Sequence, residues 1–267
     1  MEKIAVLFQR GLCHRKSRLD DYGVLLCELS EGFFLLSIVM VAVVGCSALR
    51  GPITSEELGS MKKVAVFSYL SDSMYHINVG TLVFANREHQ IHVPQWQIRA
   101  HSEEQVREQL LQNPRWTDVE ILEDSVFPRR IGDDVEDIDR ILKKAVAAGF
   151  DTAVIVLPTF AVGKDMMQPG YGIYNRSFMG SEKSCAYGDF LVRVYDARRE
   201  KYLDGDFARR SKQLFAETPA SCSEEAVVWK DNPQDYSEAE MADLQAVLKR
   251  QVAFGIGEAL RRMKLLN

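Results

Sequence analysis

Residues 152–157 read TAVIVL, and this run decides how the rest of the chain is interpreted. It is short, almost wholly apolar and rich in β-branched residues, as a central strand covered on both faces should be. The stretch before it carries Val135, Ile138, Ile141, Leu142, Ala145 and Val146 at helical spacing. Asp133 or Asp134 is placed to cap that helix, and Gly149 to stop it. A helix running into a buried strand points to an α/β domain.

Working back from the run, Lys63–Tyr69 (KVAVFSY) alternates and reads as the first strand. Residues 77–84 and 91–98 read as extended pieces, with Pro94 and Trp96 near a turn or edge. Ser102-Glu103-Glu104-Gln105 has the form of a capping box, opening a helix whose apolar face includes Val106, Leu110 and Leu111. Asn113-Pro114 ends it. Val119–Leu122 forms a short strand.

Working forward, Gly170–Met179, Tyr187–Asp196 and Lys201–Phe207 read as an antiparallel meander, with 196–200 as its second turn. Residues 216–236 are polar and loop-like. Ser237 and Glu240 form another capping box, before a long helix with Met241, Leu244, Leu248, Val252, Ile256 and Leu260 on one face. Gly255 and Gly257 near that face lower its helix propensity and point to close packing on a sheet. The expected fold is a single mixed-sheet α/β sandwich with an antiparallel meander and a long carboxy-terminal helix.

Residues 33–45 read FFLLSIVMVAVVG, without a charge. Such a run is shorter than the roughly 20 residues of a membrane span and fits the apolar core of a secretory signal. Val43-Val44-Gly45-Cys46 follows the pattern aliphatic, small or aliphatic, Gly or Ala, Cys, and resembles the lipobox of bacterial lipoproteins. The resemblance implies cleavage before Cys46, diacylglycerol on its sulfur and acylation of the new amine. Two or more acyl chains make a stable anchor where one does not. Ser47 after the cysteine implies sorting to the outer membrane, facing the periplasm. The expected division is 1–45 signal peptide, 46–62 lipidated tether and 63–267 periplasmic α/β domain. The nearest charges before the apolar run are Glu28 and Glu31, and the basic cluster lies upstream at Arg10–Arg18. A start site assigned too far upstream accounts for both that departure and the long leader.

Five basic and five acidic residues cancel in 1–45, so the net charge of -5 belongs to the remainder. That leaves no basic footprint for nucleic acid. Of the cysteines 13, 27, 46, 185 and 222, only Cys185 and Cys222 remain for pairing once the leader is removed and Cys46 lipidated. An oxidising compartment lets them form a disulfide; the alternative is two separate thiols.

The mature part also resembles the periplasmic α/β domain of the TolB amino-terminal region, the curli-secretion lipoprotein and lipoproteins that activate peptidoglycan synthases. KVAVFSY, DTAVIVLP and AYGDFLVRVYDARREKYL carry the likeness. VGTLVFANREHQIHVPQW is similar to uncharacterised envelope proteins.

Few residues suggest chemistry. His76, His89, His92 and His101 fall in one segment with Glu88. His89 and His92 are three apart in extended chain and face opposite sides, so solvated histidines at a strand edge are expected rather than a metal site. Asp72-Ser73 is similar to the nucleophile block of SGNH-type esterases, but no histidine follows His101; Ser71 and Asp72 are expected in a turn or helix cap. The acidic residues from Asp133 to Asp139 suit the positive end of a helix. Asp204-Gly205-Asp206 is too short for a calcium loop. Gly163, Gly170 and Gly172 lack phosphate-loop spacing. The aromatic patch from Gly170 to Tyr174 either packs in the core or meets a partner. The expectation is a non-catalytic envelope lipoprotein that binds a protein or cell-wall partner, with no cofactor. The alternative is a periplasmic hydrolase with an unrecognised site.

Overall fold

The computed structural model describes residues 53–80, 85–123, 135–158, 160–162, 167–178, 181–208 and 222–266. The expected signal peptide, Cys46, and Asp133 and Asp134 lie outside them. The described residues form four helices: α1 (Ser55–Ser60), α2 (Ile98–Leu111), α3 (Val135–Ala147) and α4 (Glu238–Arg262). Ten strands join in one mixed sheet: β1 (Lys63–Ser68), β2 (Ser73–Val79), β3 (Arg87–His92), β4 (Asp118–Ile121), β5 (Thr152–Pro158), β6 (Phe160–Val162), β7 (Met167–Phe178), β8 (Ser181–Asp196), β9 (Lys201–Phe207) and β10 (Cys222–Ala226).

The sheet is organised by β8. Its carboxy-terminal half pairs antiparallel with β5 and β9, and β5 pairs parallel with β1, which pairs parallel with β4. Its amino-terminal half pairs antiparallel with β7 and β10. Beyond β7 lie β2, in parallel, and then β3, antiparallel. β7, β8 and β9 make the meander, and β6 turns back on β7.

The period of two sorts the first of these halves into two cores. Val64, Val66, Val154, Val156, Phe190, Val192 and Val194 face α2 and α4, where Val106, Leu110, Leu248, Val252 and Ile256 complete the layer. Ala65, Phe67, Ala153, Ile155 and Leu157 face α3 through Ile141, Leu142 and Ala145. TAVIVL is therefore buried on both faces, because each face has its own helical cover. Asp151 secures the start of the run. Its carboxylate accepts the Lys62 and Lys63 N–H groups, each at 3.1 Å, and the Thr152 hydroxyl at 2.8 Å.

The helix signals have clear causes. Gly149 has φ +89°. The Phe150 N–H donates to Ala145 O at 3.0 Å and the Gly149 N–H to Val146 O at 2.9 Å, which closes α3 with a left-handed cap. Ser237 and Glu240 cap α4 reciprocally, at 2.7 Å and 3.3 Å. Gly255 brings α4 onto the sheet: a Cβ there would lie 2.7 Å from the Ala208 Cβ and 3.0 Å from the Phe190 Cζ.

Five expectations need correction. Ile53, Leu58 and Met61 are buried in the core, and Thr54 and Glu57 cap α1, so the packed domain begins well before residue 63. Ser102 does not open α2. The helix starts at Ile98 after Gln97, which takes a left-handed φ of 50°, and the Ser102 hydroxyl faces inward instead. Leu111 is exposed rather than on the buried face. The extended pieces shift too: the strands are β2 and β3, while Pro94–Trp96 is a single 3-10 turn with Trp96 buried. The stretch expected as a loop at 216–236 contains β10.

Candidate functional site

The amino-terminal half of β8 brings together a disulfide, a side-chain ladder and a buried histidine. Cys185 on β8 and Cys222 at the start of β10 form a disulfide, with Cα atoms 5.6 Å apart. That distance lies inside the span a disulfide bridges. Cys185 packs with Ile77, Val79, Tyr174 and Tyr187 in a small separate core. One rung along, Asn175 on β7 is buried and donates to the Asn78 side-chain oxygen on β2 at 2.9 Å. Its own oxygen accepts the Ser184 hydroxyl on β8 at 2.7 Å. Three strands are thus crosslinked by side chains.

On the same sheet face as that ladder lies His76, 1% exposed. It stands opposite His89 on β3, their ring centroids 6.0 Å apart. Trp229 stacks on it at 3.9 Å, and the Tyr236 ring meets it edge-on at 6.1 Å. Burial lowers the His76 pKa to about 4, the neighbouring His89 adds to that, and the Lys230 backbone opposes it. His76 is therefore neutral near pH 7, and among the described residues its Nε2 has no hydrogen-bond partner. The cover is fastened from behind. The Tyr236 hydroxyl donates to Val228 O at 3.0 Å and accepts the Lys230 N–H at 3.1 Å. The Lys230 ammonium holds Glu240 at 2.7 Å.

The other histidines separate. His89 and His92 are exposed on the edge strand, as the sequence suggests, and His92 Nδ1 lies 3.4 Å from the Ser73 hydroxyl. His101 is on α2 and donates to Lys249 O at 3.0 Å. The expectation of solvated histidines fails for His76, because Trp229 comes from a distant part of the chain to cover it. No group of three metal-ligating side chains occurs among the described residues.

A second cluster sits at the carboxyl end of β1, where open parallel sheets place their ligands. Glu103 is buried on α2 and accepts the Ser68 N–H at 3.1 Å. The Ser102 hydroxyl lies 2.6 Å from that of Ser68. Arg99 approaches Glu103 at 3.4 Å and spreads over the Tyr69 ring. Burial raises the Glu103 pKa, against the pull of Arg99 and the Ser68 N–H. A carboxylate and two hydroxyls meet here, but none of the described histidines joins them.

The remaining candidates take structural places. Ser71 accepts the Ser73 N–H at 3.3 Å in a turn, and Asp72 O receives the Val93 N–H. Tyr171 and Tyr174 are buried, which settles the aromatic patch as core; the Tyr171 hydroxyl donates to Ser71 O at 2.8 Å. Gly172 stands opposite Tyr75, where a Cβ would overlap the Tyr75 carbonyl oxygen. Asp206 and the Phe207 carbonyl take Arg262, tying β9 to the end of α4.

Among the described residues, recesses open on the helical side. A groove of about 560 Å³ runs between α2 and α4, and a smaller one of about 140 Å³ lies beside Val228 and Tyr236. The volume of the first falls in the range of ligand sites. Sequence reasoning did not find the groove or the Trp229 cover; the Gln105, Gln109 and Gln112 spacing along one helix was the available signal. Compared with known proteins, the chain matches no family model and no curated protein.

Proposed function

We propose that the chain is a lipid-anchored bacterial envelope protein of the outer membrane, facing the periplasm, that binds a protein or cell-wall partner without catalysing a reaction. The observation that carries this reading is the apolar run 33–45 ending in Val43-Val44-Gly45-Cys46. The paired Cys185 and Cys222 support it, since disulfides persist in oxidising compartments. No helix among the described residues is long and apolar enough to cross a membrane. A soluble domain on an acyl anchor is compatible with that.

The test is metabolic labelling of the full chain with palmitate in a bacterial host. Label is expected in the parent and lost in Cys46→Ser. Label retained in that variant overturns the anchor.

The hydrolase alternative has one observation in its favour, the Glu103, Ser68 and Ser102 cluster. It predicts an ester-hydrolysing activity abolished by Ser68→Ala in a protein that remains folded. The binder reading predicts no such activity in the parent.

A further inference from the structure

We propose that β3 pairs edge to edge with β3 of a second copy of this chain, joining two sheets across a two-fold axis at Gln90. This goes beyond the binder reading and does not rest on the anchor. Among the described residues, β3 pairs with β2 alone and ends the sheet order. Arg87, Glu88, His89, Gln90 and His92 are all exposed. An edge of this kind presents unpaired N–H and C=O groups to another strand.

The ladder to β2 fixes which groups those are. The Val93 N–H donates to Asp72 O at 2.7 Å, and the register pairs Ser73 with His92. Asp72 and Val93 are thus a hydrogen-bonded pair, and in an antiparallel ladder such pairs alternate with non-bonded ones. Ile91, His89 and Arg87 therefore turn their backbone groups toward β2. Glu88, Gln90 and His92 turn theirs outward. No register shift interrupts the pairing of β2 with β3. No proline lies within β3 to remove an outward donor.

These three residues are complementary to themselves. With the axis at Gln90, antiparallel pairing sets Gln90 opposite its own copy and Glu88 opposite His92 of the second copy, twice over. Every outward group then joins a hydrogen-bonded pair, giving about six main-chain bonds. The same pairing sets a carboxylate beside an imidazole at both ends and two carboxamides side by side at the centre. His92 Nδ1 lies 3.4 Å from the Ser73 hydroxyl, which leaves Nε2 for the carboxylate. A slip that sets Glu88 opposite Gln90 loses both carboxylate–imidazole contacts. A strand of another protein has no such match built in. A two-fold contact also closes at two copies, so the edge is used up rather than extended into a fibre.

The test is sedimentation of the purified full chain in detergent, together with cysteine crosslinking. A dimer is expected in the parent. Gln90→Cys should form a covalent dimer under mild oxidation, because hydrogen-bonded partners have Cα atoms about 5.5 Å apart, within disulfide reach. Glu88→Cys, at an equally exposed position, should stay at the parent's background. The two copies of that position lie about 14 Å apart along the strands. Glu88→Lys should weaken the dimer about tenfold, and adding His92→Glu should restore it. Gln90→Pro should abolish the dimer by removing an outward N–H while sparing the ladder to β2. Circular dichroism checks folding, and the charge exchange carries the test if Gln90→Pro unfolds. A monomeric parent, equal crosslinking at positions 88 and 90, no recovery on charge exchange, or a folded Gln90→Pro that still dimerises overturns the proposal. Failure of palmitate labelling with the dimer intact removes the anchor and leaves this contact. A monomer that still takes the label does the reverse.

Discussion

The two halves of β8 belong to one strand but are held by different forces. Residues 190–196 lie in a sheet covered by helices on both faces, with Val192 and Val194 fully buried among aliphatic neighbours. Residues 181–189 lie among polar and covalent links: the Asn78, Asn175 and Ser184 ladder, a neutral histidine under an indole, and a disulfide. The first half is stabilised mainly by area removed from water. The second relies on directional bonds and a covalent link, which specify geometry but cost more when a partner is lost. A continuous backbone can therefore join regions of unequal robustness.

The comparison can be pushed hardest in the helical half. Phe190→Ala removes a fully buried ring beneath Gly255 and should cost about 3–5 kcal/mol. Urea denaturation measures it, and a loss below 1 kcal/mol would mean that this half is not the stronger support.

Next in size is the disulfide. Cys222→Ala opens a link across a sequence separation of 37 and should cost about 3–4 kcal/mol. Hydrogen exchange locates the damage. Amides of β2 and β7 should lose protection while those of β1 and β5 keep it. Equal loss across the sheet would erase the distinction between the halves.

A smaller effect follows from His76. Its folded pKa, about 4, lies below the ordinary value of 6.5, so the unfolded chain binds the extra proton first as pH falls. The stability this group contributes is full above pH 6.5 and is lost as pH falls toward 4. Stability curves across that window should flatten in His76→Phe, and Trp229 emission should change with pH in the parent but not in the variant. A parent curve as flat as the variant's would show that the buried imidazole does not titrate alone.

The same contrast explains how much was legible in the sequence. TAVIVL and KVAVFS are near-continuous apolar runs and the Leu244-to-Leu260 face is periodic, and such runs and periods are what a sequence displays directly. Gly149 and Ser237 mark helix ends by their own chemistry. The other half depends on pairings between remote residues. Nothing near His76 announces Trp229. The polar residues of 216–236 hide β10, whose place is set by pairing with β8. Ser102 has the letters of a helix cap, yet its hydroxyl is committed to Ser68 and to the Arg99 carbonyl. The groove was open to reading only in part, since the glutamine spacing is visible along α2 but the opposite wall belongs to α4.

The central position of β8 also governs the order in which the sheet can assemble. β1, β4 and β5 can pair with one another, as can β2 with β3 and β7, before β8 has been made. The two groups share β8 as their bridge, and β8 is followed in the chain by β9, β10 and α4. A growing chain therefore carries two unfinished sheets with open edges until residue 196 is available, and α4 covers them last. Pairings between residues far apart in sequence make such assembly slow, so the exposed edges of the unfinished sheets set the period in which this chain is most open to aggregation or to a chaperone.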